Sequence, residues 1–215
     1  MGHSILSRGV SRSFPTPHPV VEQASDDRDI LVILGDQAGS AYAELADKTS
    51  YGLILIELGL ECLGVHTGES RGTEGGNVLG FARYRQGRAD PSPLVEVVRQ
   101  PATPDEAIGR ACHLFERCGL VTAVCSDFPG RIVDRLVRPY YNAALARLDA
   151  GLATADDMDL TLRLGLGYPK GPVELLDSTG LAEHYEVSQA LYQALGDPAY
   201  APARRAQVAF ARRQR

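Results

Sequence analysis

The chain has 215 residues, of which 44% are hydrophobic and 23% charged, enough to bury a core in one domain or in two small ones. Its formal net charge of -5 leaves no basic footprint for nucleic acid, no window approaches the roughly 18 consecutive apolar residues of a membrane span, and no apolar signal core opens the chain. These features predict a soluble, cytoplasmic protein without nucleic-acid or membrane partners.

Residues 1–28 are rich in proline and serine and show no sustained periodicity, so they are expected to form a loose arm or linker. From Asp29 the pattern changes. Ile30 to Leu34 (ILVIL), closed by Gly35, and Gly52 to Leu58 (GLILIEL) are short apolar runs of the kind that parallel strands buried on both faces require, and Ser40 to Thr49 between them is helical in composition. Further strands are predicted at Cys62 to Val65, Val78 to Tyr84, Leu94 to Val98 and Leu120 to Cys125. Gly68 to Gly76 and Gln86 to Pro93 are polar excursions. A helix begins at Pro104 and Asp105, with Ile108, Ala111, Cys112 and Phe115 on one face.

Beyond residue 128 the chain is all helical. Apolar residues recur every three or four positions from Ile132 to Leu148, with Pro139 expected to kink that helix and Gly151 to end it. Thr154 with Asp157 three residues later forms a capping box that opens a second helix, stopped between Gly165 and Pro169. Pro172 suits the first position of a third, and helices over Glu183 to Leu195 and Ala203 to Arg213 complete the pattern. The expected fold is α/β then all-α, a small sheet domain over 29–127 followed by a helical domain over 128–215. The wide apolar face of the helical part needs cover, from the sheet domain or from a second copy of the chain.

Several residues have chemistry that suits a site. A dinucleotide fold places G-x-G-x-x-G between its first strand and helix, with an acid about 20 residues on that holds the ribose. Gly35, Gly39 and Glu57 fit parts of this pattern, yet Gln37 and Ser40 stand where the second and third glycines belong. His66, beside a glycine-rich loop, is the best general-base candidate. Glu96 lies in the apolar run LVEVV, where an acid needs a partner or an edge, and a Glu96–His66 dyad is chemically sensible. Cys62, Cys112, Cys118 and Cys125 have no metal-ligand spacing and read as reduced packing residues; no metal site is expected.

The segments PGRIVDRLVRPYYNAA, ATADDMDLTLRLGLGYPKGPVELLD and GDPAYAP resemble the helical C-terminal domain of the 3-hydroxyacyl-CoA dehydrogenase family, and LVEVV resembles the end of that family's coenzyme domain. The likeness covers roughly 94–202. It implies a reduced Rossmann-like domain before a helical dimerisation domain, NAD as coenzyme, an acyl-CoA substrate and a catalytic pair of which Glu96 matches the glutamate. His66 matches the histidine only across a longer gap, and Asp134 falls where the family has a catalytic asparagine. The arrangement is similar to the tail of long bacterial 3-hydroxybutyryl-CoA and 3-hydroxyadipyl-CoA dehydrogenases, in which a shortened Rossmann-like domain precedes a second helical domain. Two functions follow from the resemblance. One is a 3-hydroxyacyl-CoA dehydrogenase acting in CoA-thioester oxidation; the other is a non-catalytic module, with a degenerate coenzyme site, that pairs with itself or with a full-length dehydrogenase.

Overall fold

The computed structural model describes residues 2–215, which divide into two compact units. Among these residues, the first unit comprises 2–85 and 91–132, the second 86–90 and 133–215.

The first unit is built on a six-stranded sheet: β1 (Ser4–Ser7), β2 (Ile30–Leu34), β3 (Leu53–Glu57), β4 (Val78–Arg83), β5 (Leu94–Arg99) and β6 (Val121–Ser126). The strands lie in sequence order, β1 through β4 mutually parallel, β5 antiparallel to β4, and β6 parallel to β5. Every residue of β2 and β3 is buried, as their unbroken apolar runs require. Alternate residues serve opposite faces. Ile30, Val32, Leu53, Leu55 and Phe81 pack under α4 (Asp105–Arg117) through Ala111, Leu114 and Phe115, while Leu31, Ile33, Ile54 and Ile56 meet Ala38 and Ala41 of α2 (Ala38–Glu44). The antiparallel β4–β5 pair permits the short connection through 84–93 that a parallel pair would not.

Two expectations are corrected here. Part of the supposed amino-terminal arm is the edge strand β1, paired from Ser4↔Leu31 to Ser7↔Leu34, and a four-residue α1 (Pro19–Glu22) follows it. His3 is buried and its ring bonds the Val20 carbonyl (2.6 Å) and Arg117 (3.1 Å), so the segment is pinned at its start. A four-residue edge strand with serines at both ends carries too little apolar periodicity to stand out in sequence. Likewise, Cys62 to Val65 is not a strand. It forms a turn into α3 (Gly64–Thr67), with Leu63 buried beneath it. Its apolar run is too short for periodicity to separate strand from helix.

The second unit contains α5 (Arg131–Asp149, from its third residue), α6 (Ala155–Leu166), α7 (Pro172–Thr179), α8 (Leu181–Leu195) and α9 (Arg204–Arg213). Pro139 lies inside α5 without interrupting its assigned span. The Thr154 hydroxyl accepts from Asp157 N (3.1 Å) as the capping box predicts, and Gly167 and Gly196 end α6 and α8 in the left-handed conformation. Asp159, from α6, caps α7 by accepting Val173 N (2.9 Å) and Glu174 N (2.8 Å). Tyr141, Leu145, Leu176, Ala203 and Ala206 form the core. The loop at 86–90 belongs to this unit, with Arg88 N donating to Thr179 O (2.9 Å).

Candidate functional site

Gly35, Gly39, Glu57 and His66 gather at the carboxyl ends of the parallel strands, where open α/β sheets bind ligands. Gly35 ends β2 with φ at +108°, and a Cβ there would lie 2.0 Å from the Arg8 carbonyl oxygen, so only glycine fits. Glu57 ends β3 and is buried. Its Oε2 accepts Gly35 N and its Oε1 accepts Ser13 N, both at 2.7 Å. The acid at the ribose-binding spacing therefore clamps main chain on both oxygens, and charge-assisted bonds of this kind explain how a buried carboxylate is tolerated.

His66, on α3, packs its ring against Gly39, where an added Cβ would come within 2.0 Å of it. Its carboxylate neighbour is Glu61, with Nε2 to Oε1 at 3.5 Å. Asp127, just beyond β6, fixes α3 by accepting Leu63 N (2.6 Å) and Gly64 N (2.7 Å). Gly35, Glu57, Glu61 and His66 border a cavity of about 230 Å³ whose lining also includes Arg12, Gln37 and Gly39.

Glu96 is placed elsewhere. It lies on β5, its register neighbours being Ala82 on β4 and Ala123 on β6, and its Oε1 accepts Ile132 N at 2.8 Å. His66 Nε2 faces Glu61 Oε1 at 3.5 Å. The dyad imagined from sequence is thus not formed: His66 has Glu61 as its acidic partner. Burial, and then the nearby Glu96 carboxylate, push the Cys125 thiol up to about 11, which suits an inert packing residue. Among the described residues, no group of three or more His, Cys, Asp or Glu side chains is placed to hold a metal ion.

In the helical unit Asp134 heads a buried polar chain that runs along one stripe of α5, through Arg138 and Asn142 at four-residue spacing, to α8. Arg138 is fully buried and bonds Asp134 at 2.7 Å and His184 Nδ1 at 3.1 Å. Because guanidinium only donates, Nδ1 accepts, and Nε2–H donates to Asn142 Oδ1 (2.9 Å). Burial, then the Arg138 charge, push His184 down to about 3, so it is neutral at physiological pH. Apolar spacing along the chain marks neither Arg138 nor His184 as a site residue. The available signal was the 134, 138, 142 repeat, three polar residues four apart along one stripe of α5.

Residues 130–213 match the family model described as 3-hydroxyacyl-CoA dehydrogenase, C-terminal domain. The helical unit is therefore similar to the C-terminal domain of the 3-hydroxyacyl-CoA dehydrogenases. A probable 3-hydroxybutyryl-CoA dehydrogenase of Deinococcus radiodurans is 35% identical over 109 residues, 51% of this chain and 39% of that relative. Among solved structures, 3-hydroxybutyryl-CoA dehydrogenase from Escherichia coli K12 aligns with a TM-score of 0.70 at 27% identity, over 84% of this chain and 39% of that one. The (S)-3-hydroxybutyryl-CoA dehydrogenase from Ralstonia eutropha aligns with a TM-score of 0.69 at 24% identity, over 86% of this chain and 65% of that one, a likeness of fold. The Rossmann-like unit followed by a helical C-terminal domain is the arrangement these dehydrogenases share. The matches span less than two thirds of the curated relatives' length. Asp134, the residue the resemblance put at an asparagine position, is bound here to Arg138.

Proposed function

We propose that the chain serves in the NAD-dependent oxidation of 3-hydroxyacyl-CoA thioesters of the 3-hydroxybutyryl-CoA class, in the cytoplasm. The observation that carries this reading is the family match over 130–213, which takes in all five helices of the second unit. The relatives named as 3-hydroxybutyryl-CoA dehydrogenases and the shared fold support the same chemistry.

Within that chemistry, the site geometry favours a contributing role over an autonomous catalyst. Hydride transfer needs a positioned nicotinamide and a base within reach of the substrate hydroxyl. The residues offered for the coenzyme do not fit it: Glu57 is engaged on both oxygens and the space beside Gly39 holds the His66 ring. Glu96 caps the start of α5 and Asp134 is paired with a buried arginine.

The helical unit supports self-association. Asp159 is the buried residue of α6, whereas Leu160, Leu164 and Leu166 are exposed on it, Leu164 by 77%. An amphipathic helix that turns leucines outward needs a second surface. The chain accordingly acts as a homodimer through this unit, or joins a full-length dehydrogenase that supplies hydride transfer.

Acetoacetyl-CoA titrated into the purified chain by calorimetry, followed by NADH consumption with and without a full-length 3-hydroxybutyryl-CoA dehydrogenase, tests this reading. Saturable heat, or a changed rate in the mixture, is expected. Neither heat nor any effect on rate would remove it.

A further inference from the structure

In a parallel α/β sheet the phosphates of a dinucleotide are met by main-chain amides of the strand-to-helix turn, which must be free to donate, and by open space above a glycine. Both requirements can be checked at the carboxyl end of β2. Gly35 N donates to Glu57 Oε2 at 2.7 Å, Asp36 N to Val10 O at 3.0 Å, Gln37 N to Arg8 O at 3.3 Å, and Ala38 N to Gly35 O at 3.1 Å. Each of these four donors already has an acceptor within the chain. The space over Gly35 is filled as well, since the Arg8 carbonyl oxygen stands 2.0 Å from the position a Cβ would take.

The segment responsible is residues 8–13, and it is fastened at three strand ends. Arg8 N donates to Leu34 O (2.8 Å) at the end of β2, and Ser13 N to Glu57 Oε1 (2.7 Å) at the end of β3. Arg83, ending β4, donates from Nη1 to Ser13 O (2.8 Å) and from its backbone N to Ser13 Oγ (3.2 Å), while Arg12 donates to Arg85 O (2.8 Å). The carbonyls of Arg8 and Val10 thus stand where a ligand's oxygens would accept. The cavity left beside them, about 230 Å³, lies below the roughly 300–1,000 Å³ usual for small-molecule sites. The sheet order adds a topological reason: it runs from β1 to β6 without reversal, so the unit has no switch point of the kind at which dinucleotides bind.

We infer that residues 8–13 are a built-in occupant of the α/β unit's coenzyme crevice, latched by Glu57 to Ser13 and Gly35, and that this unit takes up neither NAD nor NADH. The family reading enters only in the choice of NADH as the probe. The test reads binding and amide exchange, so its failure is distinct from a failure to bind or reduce acetoacetyl-CoA.

The full chain is titrated with NADH to millimolar concentration by fluorescence, and hydrogen exchange is followed over 8–13 and 35–40 with and without NADH. No saturable binding and no change in exchange are expected. Glu57→Ala should speed exchange at Ser13 and Gly35 by at least about tenfold, the effect of removing one hydrogen bond to a charged group. Should the alanine variant not fold, Glu57→Gln keeps the shape but leaves a single side-chain acceptor, and faster exchange at one of the two amides is expected. Saturable NADH binding that protects residues 35–40 overturns the inference, as does unchanged exchange at both amides in the folded Glu57 variant.

Discussion

Asp134 and Arg138, one turn apart on α5, form an ion pair of 2.7 Å in which the arginine side chain is 1% exposed and the aspartate 12%. The pair explains how a carboxylate is tolerated at this buried position of α5. Taking either charge out of water alone is costly, and the mutual bond with the added acceptor His184 Nδ1 offsets that cost.

Breaking the pair from one side should therefore be severe. Arg138→Met leaves Asp134 without its cation and His184 without its donor, and a loss of roughly 3–5 kcal/mol is expected from urea unfolding. The double variant Asp134→Asn with Arg138→Met removes both charges and should recover much of that loss. Additive effects of the two single changes would show that the pair is not coupled.

His184 makes stability depend on pH with a definite sign. Its folded-state value is pushed from 6.5 down to about 3, so below pH 6.5 the unfolded chain takes up a proton that the folded chain refuses. Stability from this group is complete above pH 6.5 and declines as pH falls toward 3, by about 2 kcal/mol at pH 5. Thermal unfolding between pH 7.5 and 5 should show this slope, and His184→Gln should flatten it. An equal slope in the variant would assign the acid sensitivity to other groups.

The outward leucines of α6 separate assembly from folding. Leu160→Glu with Leu164→Glu changes two exposed positions, so monomer stability should move by no more than about 0.5 kcal/mol per site. Sedimentation velocity at micromolar concentration should show dimer for the parent and monomer for the variant. A parent that sediments as a monomer would send attention to a different partner for this face.

Much of the architecture was legible because local chemistry specified it. The runs ILVIL and LILIE read as buried strands, Thr154 with Asp157 as a helix cap and Pro172 as a helix start, and each element forms. The edge strand Ser4–Ser7 escaped notice since its order comes from pairing with β2, a partner more than twenty residues away. The turn at Cys62 looked like a strand because its helical conformation depends on Asp127, more than sixty residues on, accepting Leu63 N and Gly64 N.

The site divides in the same way. By itself, the sequence determined the likeness of the helical unit to the 3-hydroxyacyl-CoA dehydrogenase C-terminal domain, since motif spacing in α5 to α7 records caps, stops and an apolar face that are local properties of the chain. Only the tertiary structure decided what the candidate residues touch. It paired Glu57 with Ser13 and Gly35, His66 with Glu61, Glu96 with Ile132 N, and Asp134 with Arg138. The physical reason is that a buried polar group must find a partner wherever the fold brings one, and that partner is set by packing between distant segments, which spacing along the chain does not record.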